Sequence, residues 1–281
     1  MNSAMLADRL LVRWTVGAVS RRGFEALQLS VWGAHRVFGP RASYVICVNS
    51  VAPGDARALT GPLPPGVLWR ESRREELPEF LRRHLDATLS EGTSWKFAPL
   101  RLAPDRYELA LDNDCILWAA PAALHTWLDG AHPSHTVLAE DVRPCFGQFA
   151  EECGPAPRNS GIRGLPPGFD LAAALAHALD CRPTTLRSEL DEQGLQTFAL
   201  AGAGPVLVVA AEEVTICSPF PPHVPHLGTC GAHFVGLNAH ALPWEYEGRP
   251  ATALTAEHWE RLRPGLEERV GLFAGHASDR C

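Results

Sequence analysis

The chain has 281 residues, 46% of them apolar and 20% charged, which is the composition of an ordinary soluble globular protein. Its formal net charge of −7 argues against a general nucleic-acid-binding protein, whose surface would be basic. No run of about 18 apolar residues occurs, so no membrane span is predicted. Residues 1–13 lack the basic start and apolar core of a signal peptide, so none is predicted either.

The first half of the chain predicts a βαβ unit with two parallel strands. Residues 10–19 form the first predicted strand, at whose end Gly17 and Ala18 would allow close approach by a ligand. Residues 22–37 carry apolar side chains at helical spacing, and residues 44–48 form the second strand. The next predicted elements are a loop over residues 51–65, a strand over 67–70, an amphipathic helix over 77–89 and a short helix over 97–102.

The second half of the chain predicts further helices and strands in alternation. Helices are expected over residues 122–128, 169–179 and 189–200, and strands over residues 136–139, 206–209 and 214–217. Residues 158–164 indicate a turn or the end of a strand, residues 218–231 no regular structure, and residues 255–272 a helix broken near Pro264. Since no composition shift marks a linker, we expect one α/β domain over residues 1–281, with a mostly parallel sheet flanked by helices.

The cysteines and the single lysine also carry information. None of the eight cysteines belongs to a CxxC pair, and Cys47 and Cys115 lie inside apolar runs, which predicts buried free thiols and a reducing cytoplasmic location. The 25 basic residues are 24 arginines and Lys96. A lysine offers a compact point charge that the arginine fork does not reproduce, so Lys96 is a candidate for binding phosphate. The alternative is chance survival of one lysine in an arginine-rich composition.

Two carboxylates, Asp112 and Asp114, follow a short apolar run that is predicted to be a buried strand. Ligands of open α/β sheets bind beyond the carboxyl ends of such strands. Buried carboxylates are costly unless a cation or hydrogen bonds compensate them, and Mg²⁺ or Mn²⁺ suits oxygen ligands. The alternative is a pair of turn-forming or helix-capping aspartates.

A second group of candidate residues lies far downstream, between Gly231 and Trp244. His233 is flanked by glycines and is a candidate third metal ligand through a neutral imidazole. Gly236 permits the backbone to approach a phosphate. A single histidine in this position is otherwise a structural residue with its hydrogen bonds satisfied.

A DxD motif followed by His-Phe-x-Gly and then Pro-Trp resembles the metal-dependent GT-A glycosyltransferases, most closely the group of glycogenin and the bacterial lipooligosaccharide galactosyltransferases. The segments that begin at Arg158 and Leu190 resemble that group's Asn-Ser/Ala-Gly and Asp-Gln segments and occur in the same order. The resemblance implies a GT-A fold, and it implies Asp112, Asp114 and His233 as ligands of Mn²⁺ or Mg²⁺.

The resemblance also implies roles for the residues around the metal. Asp191 and Gln193 would be catalytic. The expected donor-binding residues are Val16, Gly17, Lys96, Asn113, Asn159, Ser160, Gly161 and Gly236. Two departures are visible, because no lysine precedes Pro243 and no acidic residue follows the first strand. Lys96 or His240 is a candidate for the charge that the missing lysine would supply.

The predicted function is metal-dependent transfer of a sugar from a nucleoside diphosphate sugar, with UDP favoured, to an acceptor hydroxyl that the sequence does not identify. If the resemblance extends to stereochemistry, the anomeric configuration is retained. An inverting enzyme would need a carboxylate base, for which Asp141 and Asp191 are candidates. Glu140 and Asp141 are otherwise turn or capping residues. The rival hypotheses are a sugar nucleotidyltransferase and a non-catalytic nucleotide-sugar-binding protein, both on the same fold.

Overall fold

A computed structural model describes residues 9–85 and 93–272. A seven-stranded sheet with the order β3-β2-β1-β4-β7-β6-β8 forms its centre, and a three-stranded sheet with the order β5-β10-β9 lies beside it. A hairpin of two strands completes the β structure of the described residues. The strands are β1 (Leu10–Val16), β2 (Ser43–Val48), β3 (Val67–Glu71), β4 (Tyr107–Asp112), β5 (Cys115–Leu117), β6 (Thr136–Ala139), β7 (Asn159–Leu165), β8 (Val206–Val209), β9 (Val214–Cys217), β10 (Gly231–Phe234), β11 (Glu245–Tyr246) and β12 (Arg249–Pro250).

Helices flank the sheets, as the sequence predicts. The α-helices are α1 (Arg21–Phe38), α2 (Pro53–Thr60), α3 (Glu79–Arg82), α4 (Ala122–Leu128), α5 (Ala150–Cys153), α6 (Leu171–Cys181), α7 (Glu189–Ala203) and α8 (Ala251–Val270). Short 3₁₀ turns cover Arg74–Glu76, Thr93–Phe97 and Gly147–Phe149. Among the helices of the described part of the chain, none combines the length and the apolar composition that crossing a bilayer requires.

The parallel part of the central sheet places the carboxyl ends of its strands along one edge. The four adjacent strands β3, β2, β1 and β4 run parallel to one another, and β7 pairs antiparallel with β4. Leu109 and Leu111 of β4 are buried in the main apolar core, which explains why this short run forms an interior strand. The predicted α/β architecture with a mostly parallel sheet is confirmed.

The smaller sheet brings a distant part of the chain to the end of β4. Strand β5 starts three residues after β4 ends, and β10 pairs antiparallel with it so that His233 lies opposite Cys115. Ser30 of α1 ties the two sheets together, since its hydroxyl accepts from Trp14 Nε1 at 2.8 Å and donates to the Cys115 carbonyl at 2.5 Å. These contacts fix the corner between β4 and β5.

Several predicted elements in the first half were wrong in extent or type. The predicted loop over residues 51–65 contains α2, because Pro53 suits the first turn of a helix and Gly61 suits its end. The predicted helix over residues 77–89 is only α3, and its residues 86–89 lie outside the described ones. The predicted helix over residues 97–102 is wrong, because the 3₁₀ turn ends at Phe97, two residues before Pro99.

The second half shows three further differences. Residues 158–164 were expected to be a turn or strand end, but β7 is a seven-residue buried strand. The strand β10 begins at Gly231, the last residue of the segment 218–231 for which no regular structure was expected. Helix α8 continues through Pro264 instead of breaking there.

The seven described cysteines are free, but only Cys47, Cys115 and Cys217 are buried, and Cys181 is exposed.

Candidate metal centre

The two aspartates lie at the corner where β4 turns into β5. Asp112 is the last residue of β4 and pairs in register with Thr15 of β1. The main-chain carbonyl of Asp114 accepts from the Phe234 N–H at 2.9 Å, which anchors the corner to β10. The corner therefore stands at the carboxyl edge of the parallel strands, where ligands of such sheets bind.

Strand β10 brings His233 to the same corner. Its Nε2 lies 3.3 Å from Asp114 Oδ1 and 3.6 Å from Asp112 Oδ2. One ligand atom from each of the three side chains lies within 4.8 Å of the others. The three residues that the resemblance implies as metal ligands are thus brought together by strands more than a hundred residues apart in sequence.

The chemistry of this set suits a divalent cation. Asp114 is 4% exposed, and its Oδ1 has no hydrogen-bond partner among the described residues, whereas its Oδ2 accepts from Asn238 Nδ2 at 2.9 Å. A buried carboxylate oxygen without a donor is costly, and a cation would compensate it. Two carboxylates and an imidazole are a donor set that Mn²⁺ and Mg²⁺ can use, so the residues fit such an ion.

The three groups also shift one another's protonation. Burial alone would lower the pKa of His233, but the close contact with Asp114 and the negative charges of Asp114 and Asp112 hold it above the ordinary value. Burial alone would raise the pKa of Asp112, but Lys96 and His233 hold it below the ordinary value. Asp112 is therefore an anion at neutral pH, as a metal ligand must be.

Lys96 stands beside the same carboxylates. Its Nζ lies 2.8 Å and 3.0 Å from the two oxygens of Asp112, and 3.6 Å from Glu192 Oε2. Burial raises the pKa of Glu192 to about 7, Asp112 adds to the rise, and Lys96 opposes it. Lys96 therefore joins Asp112, a candidate metal ligand, to Glu192 on α7. Because Lys96 also lines the cleft, its charge can face a bound phosphate.

A cleft of about 590 Å³ opens above these residues. One side is formed by the ends of β1 and β2 and the other by β7, α7 and the loop after β9. Its lining includes Thr15, Gly17, Ala18, Val19, Asn49, Lys96, Asp112, Asn113, Asp114, Asp141, Arg143, Cys145, Asn159, Ser160, Glu192, Gln193, His223, His233, Gly236 and Asn238. This volume suits a small organic ligand.

Most of the expected donor-binding residues line this cleft, and they do so in different ways. Gly17 packs against Asn49, and Gly236 adopts a φ of 83° that a side chain would disfavour. Asn113 lines the cleft, but its amide is held by the Gly23 carbonyl at 3.0 Å and by the Asn238 amide. Val16 is 2% exposed, belongs to the apolar core and is not part of the cleft lining.

The segment from Asn159 to Gly161 forms the wall next to the metal candidate. The amide of Asn159 donates to Asp141 at 2.9 Å, and its oxygen accepts from the Gly161 N–H at 2.8 Å. A Cβ on Gly161 would lie 2.4 Å from Cε1 of His233, so only a glycine lets the imidazole pack here. Gly161 therefore supports the histidine and does not itself line the cleft.

Two neighbouring acids at the start of α7, Asp191 and Glu192, lie in different surroundings. Asp191 was expected to be catalytic, but its carboxylate accepts from Gln148 and from the Arg187 N–H, and it does not line the cleft. Glu192, which the sequence reasoning missed, lines the cleft beside Gln193. Gln193 donates to the Cys145 carbonyl at 2.8 Å and accepts weakly from the Ser160 N–H at 3.3 Å.

Two residues at the site, Asn238 and His223, were given no role by the sequence, whereas His240, a candidate for the charge of the missing lysine, lies outside the cleft lining. Asn238 joins Asn113 and Asp114, and His223 lines the cleft near Asp141, although residues 218–231 read as an irregular loop. The only sequence signal for Asn238 was its position five residues after His233. The Nε2 of His240 lies 3.1 Å from the Ala18 carbonyl, and His240 does not line the cleft.

No protein-family model matches the chain, and no curated protein sequence matches it. Among solved structures, the chain is similar to galactosyltransferase LgtC in complex with donor and acceptor sugar analogs, with a TM-score of 0.55 and 12% identity over 91% of this chain and 95% of that one. It is also similar to the apo form of mouse xyloside xylosyltransferase 1, with a TM-score of 0.51 and 15% identity over 82% of this chain and 98% of that one. The chain therefore has the GT-A fold, and the predicted likeness to this group of glycosyltransferase structures is confirmed.

Proposed function

We propose that this protein is a metal-dependent glycosyltransferase that moves a sugar from a nucleoside diphosphate sugar, with UDP favoured, to an acceptor hydroxyl. The observation that carries the proposal is the convergence of Asp112, Asp114 and His233 at the floor of the cleft. The solved LgtC structure supports it, because that galactosyltransferase of the same fold holds donor and acceptor sugar analogs.

The ends of β1 and β2 would receive the nucleotide, and the metal ligands would stand beside its diphosphate. A bound Mn²⁺ or Mg²⁺ would supply a Lewis acid that offsets the negative charge developing on the leaving diphosphate. Asp112, Asp114 and His233 would hold this ion. Lys96 would add a positive charge next to the same phosphates, since it lines the cleft and contacts Asp112.

The wall opposite the nucleotide would orient the sugar. Glu192 and Gln193 line the cleft there. The amide of Gln193 can exchange hydrogen bonds with sugar hydroxyls, whereas the buried carboxylate of Glu192 lies against Lys96. An active-site mutant of LgtC replaces a glutamine by glutamate, which supports a role for a glutamine such as Gln193. We place Glu192 at this wall, and not the Asp191 that the resemblance implied as catalytic, because the carboxylate of Asp191 is held away from the cleft lining.

The stereochemical outcome is a further part of the proposal. The resemblance to the group of glycogenin and the lipooligosaccharide galactosyltransferases implies retention of the anomeric configuration. An inverting reaction would need a carboxylate base in the cleft, and Asp141 lines it whereas Asp191 does not. Product analysis by NMR distinguishes the two outcomes.

The test is turnover of a panel of nucleoside diphosphate sugars with Mn²⁺, measured as released nucleoside diphosphate. Asp114→Asn keeps the size of the side chain but removes a charged ligand, so turnover should fall by about 100-fold or more. Asp55→Asn, which changes an exposed acid on α2, is the matched control and should retain wild-type turnover.

Other outcomes of the same panel decide between the rivals. Binding of UDP and Mn²⁺ without turnover of any donor would favour a non-catalytic nucleotide-sugar-binding protein. Release of pyrophosphate from a nucleoside triphosphate and a sugar phosphate would favour a nucleotidyltransferase. Turnover that Asp114→Asn leaves unchanged would refute the assigned metal site.

A further inference from the structure

A second, much smaller cavity adjoins the large cleft. Its volume is about 10 Å³, which is room for about one atom the size of a water oxygen. Thr15, Lys96, Asp112 and Ser160 line both spaces, so the small cavity lies against the wall of the cleft that carries Asp112. An ion or molecule that reaches the cleft is therefore close to this cavity.

The register of the central sheet explains why the cavity exists. Arg13 of β1, Ala110 of β4 and Arg163 of β7 are paired side by side. Residues in register share a sheet face, so two long guanidinium side chains flank the single methyl group of Ala110. All three residues line the cavity, together with Lys96 and Gln196. The space over the alanine is thus surrounded by cationic side chains.

Arg163 is a buried cation without an anionic partner among the described residues. It is 2% exposed, its Nη1 donates to the amide oxygen of Gln196, and its Nε has no hydrogen-bond partner in the described part of the chain. Burial, and after it the charge of Arg13, lowers the pKa of Arg163 to about 10, so the group is still a cation at neutral pH. A buried charge of this kind is costly unless a counter-ion matches it.

The other two cations of the cavity already have carboxylate partners. Arg13 Nη1 lies 3.3 Å from Glu108 Oε1. Lys96 Nζ lies 2.8 Å and 3.0 Å from the two oxygens of Asp112, so the negative charge of Asp112, which also lines the cavity, is matched. The unmatched charge beside the cavity is therefore that of Arg163.

The polar groups around the cavity are mainly hydrogen-bond donors. The Arg163 Nε–H has no acceptor, and the hydroxyls of Thr15 and Ser160 each carry a proton to donate. The amide oxygen of Gln196 already accepts from Arg163. A water molecule needs acceptors for its own two protons as well as donors, whereas a halide ion only accepts. A donor-rich space beside an unmatched cation therefore favours an anion over a water.

We propose that this cavity binds one halide ion, chloride under ordinary conditions, against the Nε–H of Arg163. The ion matches the charge of the buried guanidinium. Sulfate and phosphate are too large, because the cavity holds about one atom. The proposal needs neither the metal nor a nucleotide, so it stands or falls separately from the proposed function.

Anomalous diffraction from crystals grown in NaBr, without Mn²⁺ or nucleotide, tests the site directly. The expected result is one bromide peak in the cavity, in contact with Nε of Arg163. Melting temperatures in NaCl and in sodium gluconate of equal ionic strength test it in solution, since gluconate does not fit the cavity. Chloride at about ten times its dissociation constant should raise the melting temperature by about 2–4 °C over gluconate.

Two variants locate this chloride-specific rise. Arg163→Met removes the buried cation, whereas Ala110→Val keeps every donor and fills the space with methyl groups. Both should lose the rise, whatever their own melting temperatures. Arg57→Met, the same change at an exposed arginine of α2, should keep it. If Arg163→Met does not fold, Ala110→Val and the bromide crystals decide the question.

Three results would overturn the proposal. They are a cavity that holds a water and no bromide, equal melting temperatures of the wild type in chloride and gluconate, and a chloride-specific rise that survives in Ala110→Val or Arg163→Met. A wild type that binds bromide in the cavity but turns over no donor would overturn the proposed function and leave the halide site in place.

Discussion

Replacing Gly161 by alanine should weaken metal binding at the candidate site, although the substitution changes none of the three metal ligands. A Cβ at this position would lie 2.4 Å from Cε1 and 2.7 Å from Nδ1 of His233. Gly161 has no positive φ, so the substitution strains the imidazole and not the backbone. To restore ordinary van der Waals contact, the ring would have to move by about 1 Å. Metal–ligand distances vary by only about 0.2 Å, so such a shift would take the imidazole out of coordination range.

The expected cost is about a tenfold to hundredfold loss of Mn²⁺ affinity, the range typical of changing the support of a metal-ligating histidine. Overpacking of about 1–3 kcal/mol should also lower the thermal stability. Isothermal titration of Mn²⁺ in the presence of UDP measures the affinity, and differential scanning calorimetry measures the stability.

The control is Gly202→Ala on α7, where a Cβ would meet no atom within 4 Å. It should leave Mn²⁺ affinity unchanged. In a His233→Ala background, Gly161→Ala should no longer reduce the affinity that remains. Wild-type Mn²⁺ affinity in the folded Gly161→Ala variant would refute the packing argument.

Three other predictions concern charge and access. Lys96→Met should destabilise the metal-free protein by about 1–3 kcal/mol, because the carboxylates around it lose their cation. Bound Mn²⁺ replaces that charge, so Mn²⁺ should raise the melting temperature of Lys96→Met more than that of the wild type. Equal rises in both proteins would contradict this. Burial alone would raise the pKa of Glu108, but Arg13 and backbone N–H groups hold it below 4.5, so its stabilisation is present above that pH and is lost as the pH falls further. Wild type should therefore lose melting temperature on acidification more steeply than Glu108→Gln, and parallel curves would argue against the ion pair. UDP with Mn²⁺ should slow alkylation of Cys145, which lines the cleft, and not that of the exposed Cys181, as peptide mass spectrometry would show.

The parts of the fold that could be predicted are those where local pattern and tertiary environment agree. The β1–α1–β2 unit has apolar residues at the period of each element, and all three elements formed within a few residues of the expected bounds. The buried run before Asp112 likewise formed the expected strand. The helix α2 was missed because Pro53 and Gly61 read as loop residues, although the same residues also begin and end helices.

The candidate metal ligands could be predicted from the sequence because their residue types and order are distinctive. Which of two neighbouring acids faces the cleft could not be predicted. Asp191 and Glu192 are adjacent in α7, and one residue of helix rotates a side chain by about 100°, so only the packing of α7 decides which acid faces the cleft. Strand β10 was missed because its four residues pair only with β5 and β9, which are distant in the sequence or separated by an irregular loop.

The buried contacts of Gln196 on α7 were equally hidden. Its position four residues after Glu192 is visible in the sequence, but the guanidinium that donates to its amide oxygen comes from Arg163 on β7. A buried network of this kind depends on which strands are neighbours in the sheet. Local periodicity carries no information on that order.

Anomalous diffraction from crystals grown with MnCl₂ and UDP tests the central claim most directly. The account predicts one manganese peak per chain, coordinated by a carboxylate oxygen of Asp112, a carboxylate oxygen of Asp114 and Nε2 of His233. A manganese ion bound elsewhere in the chain, or UDP seated in the cleft with no ion on these three side chains, would contradict it.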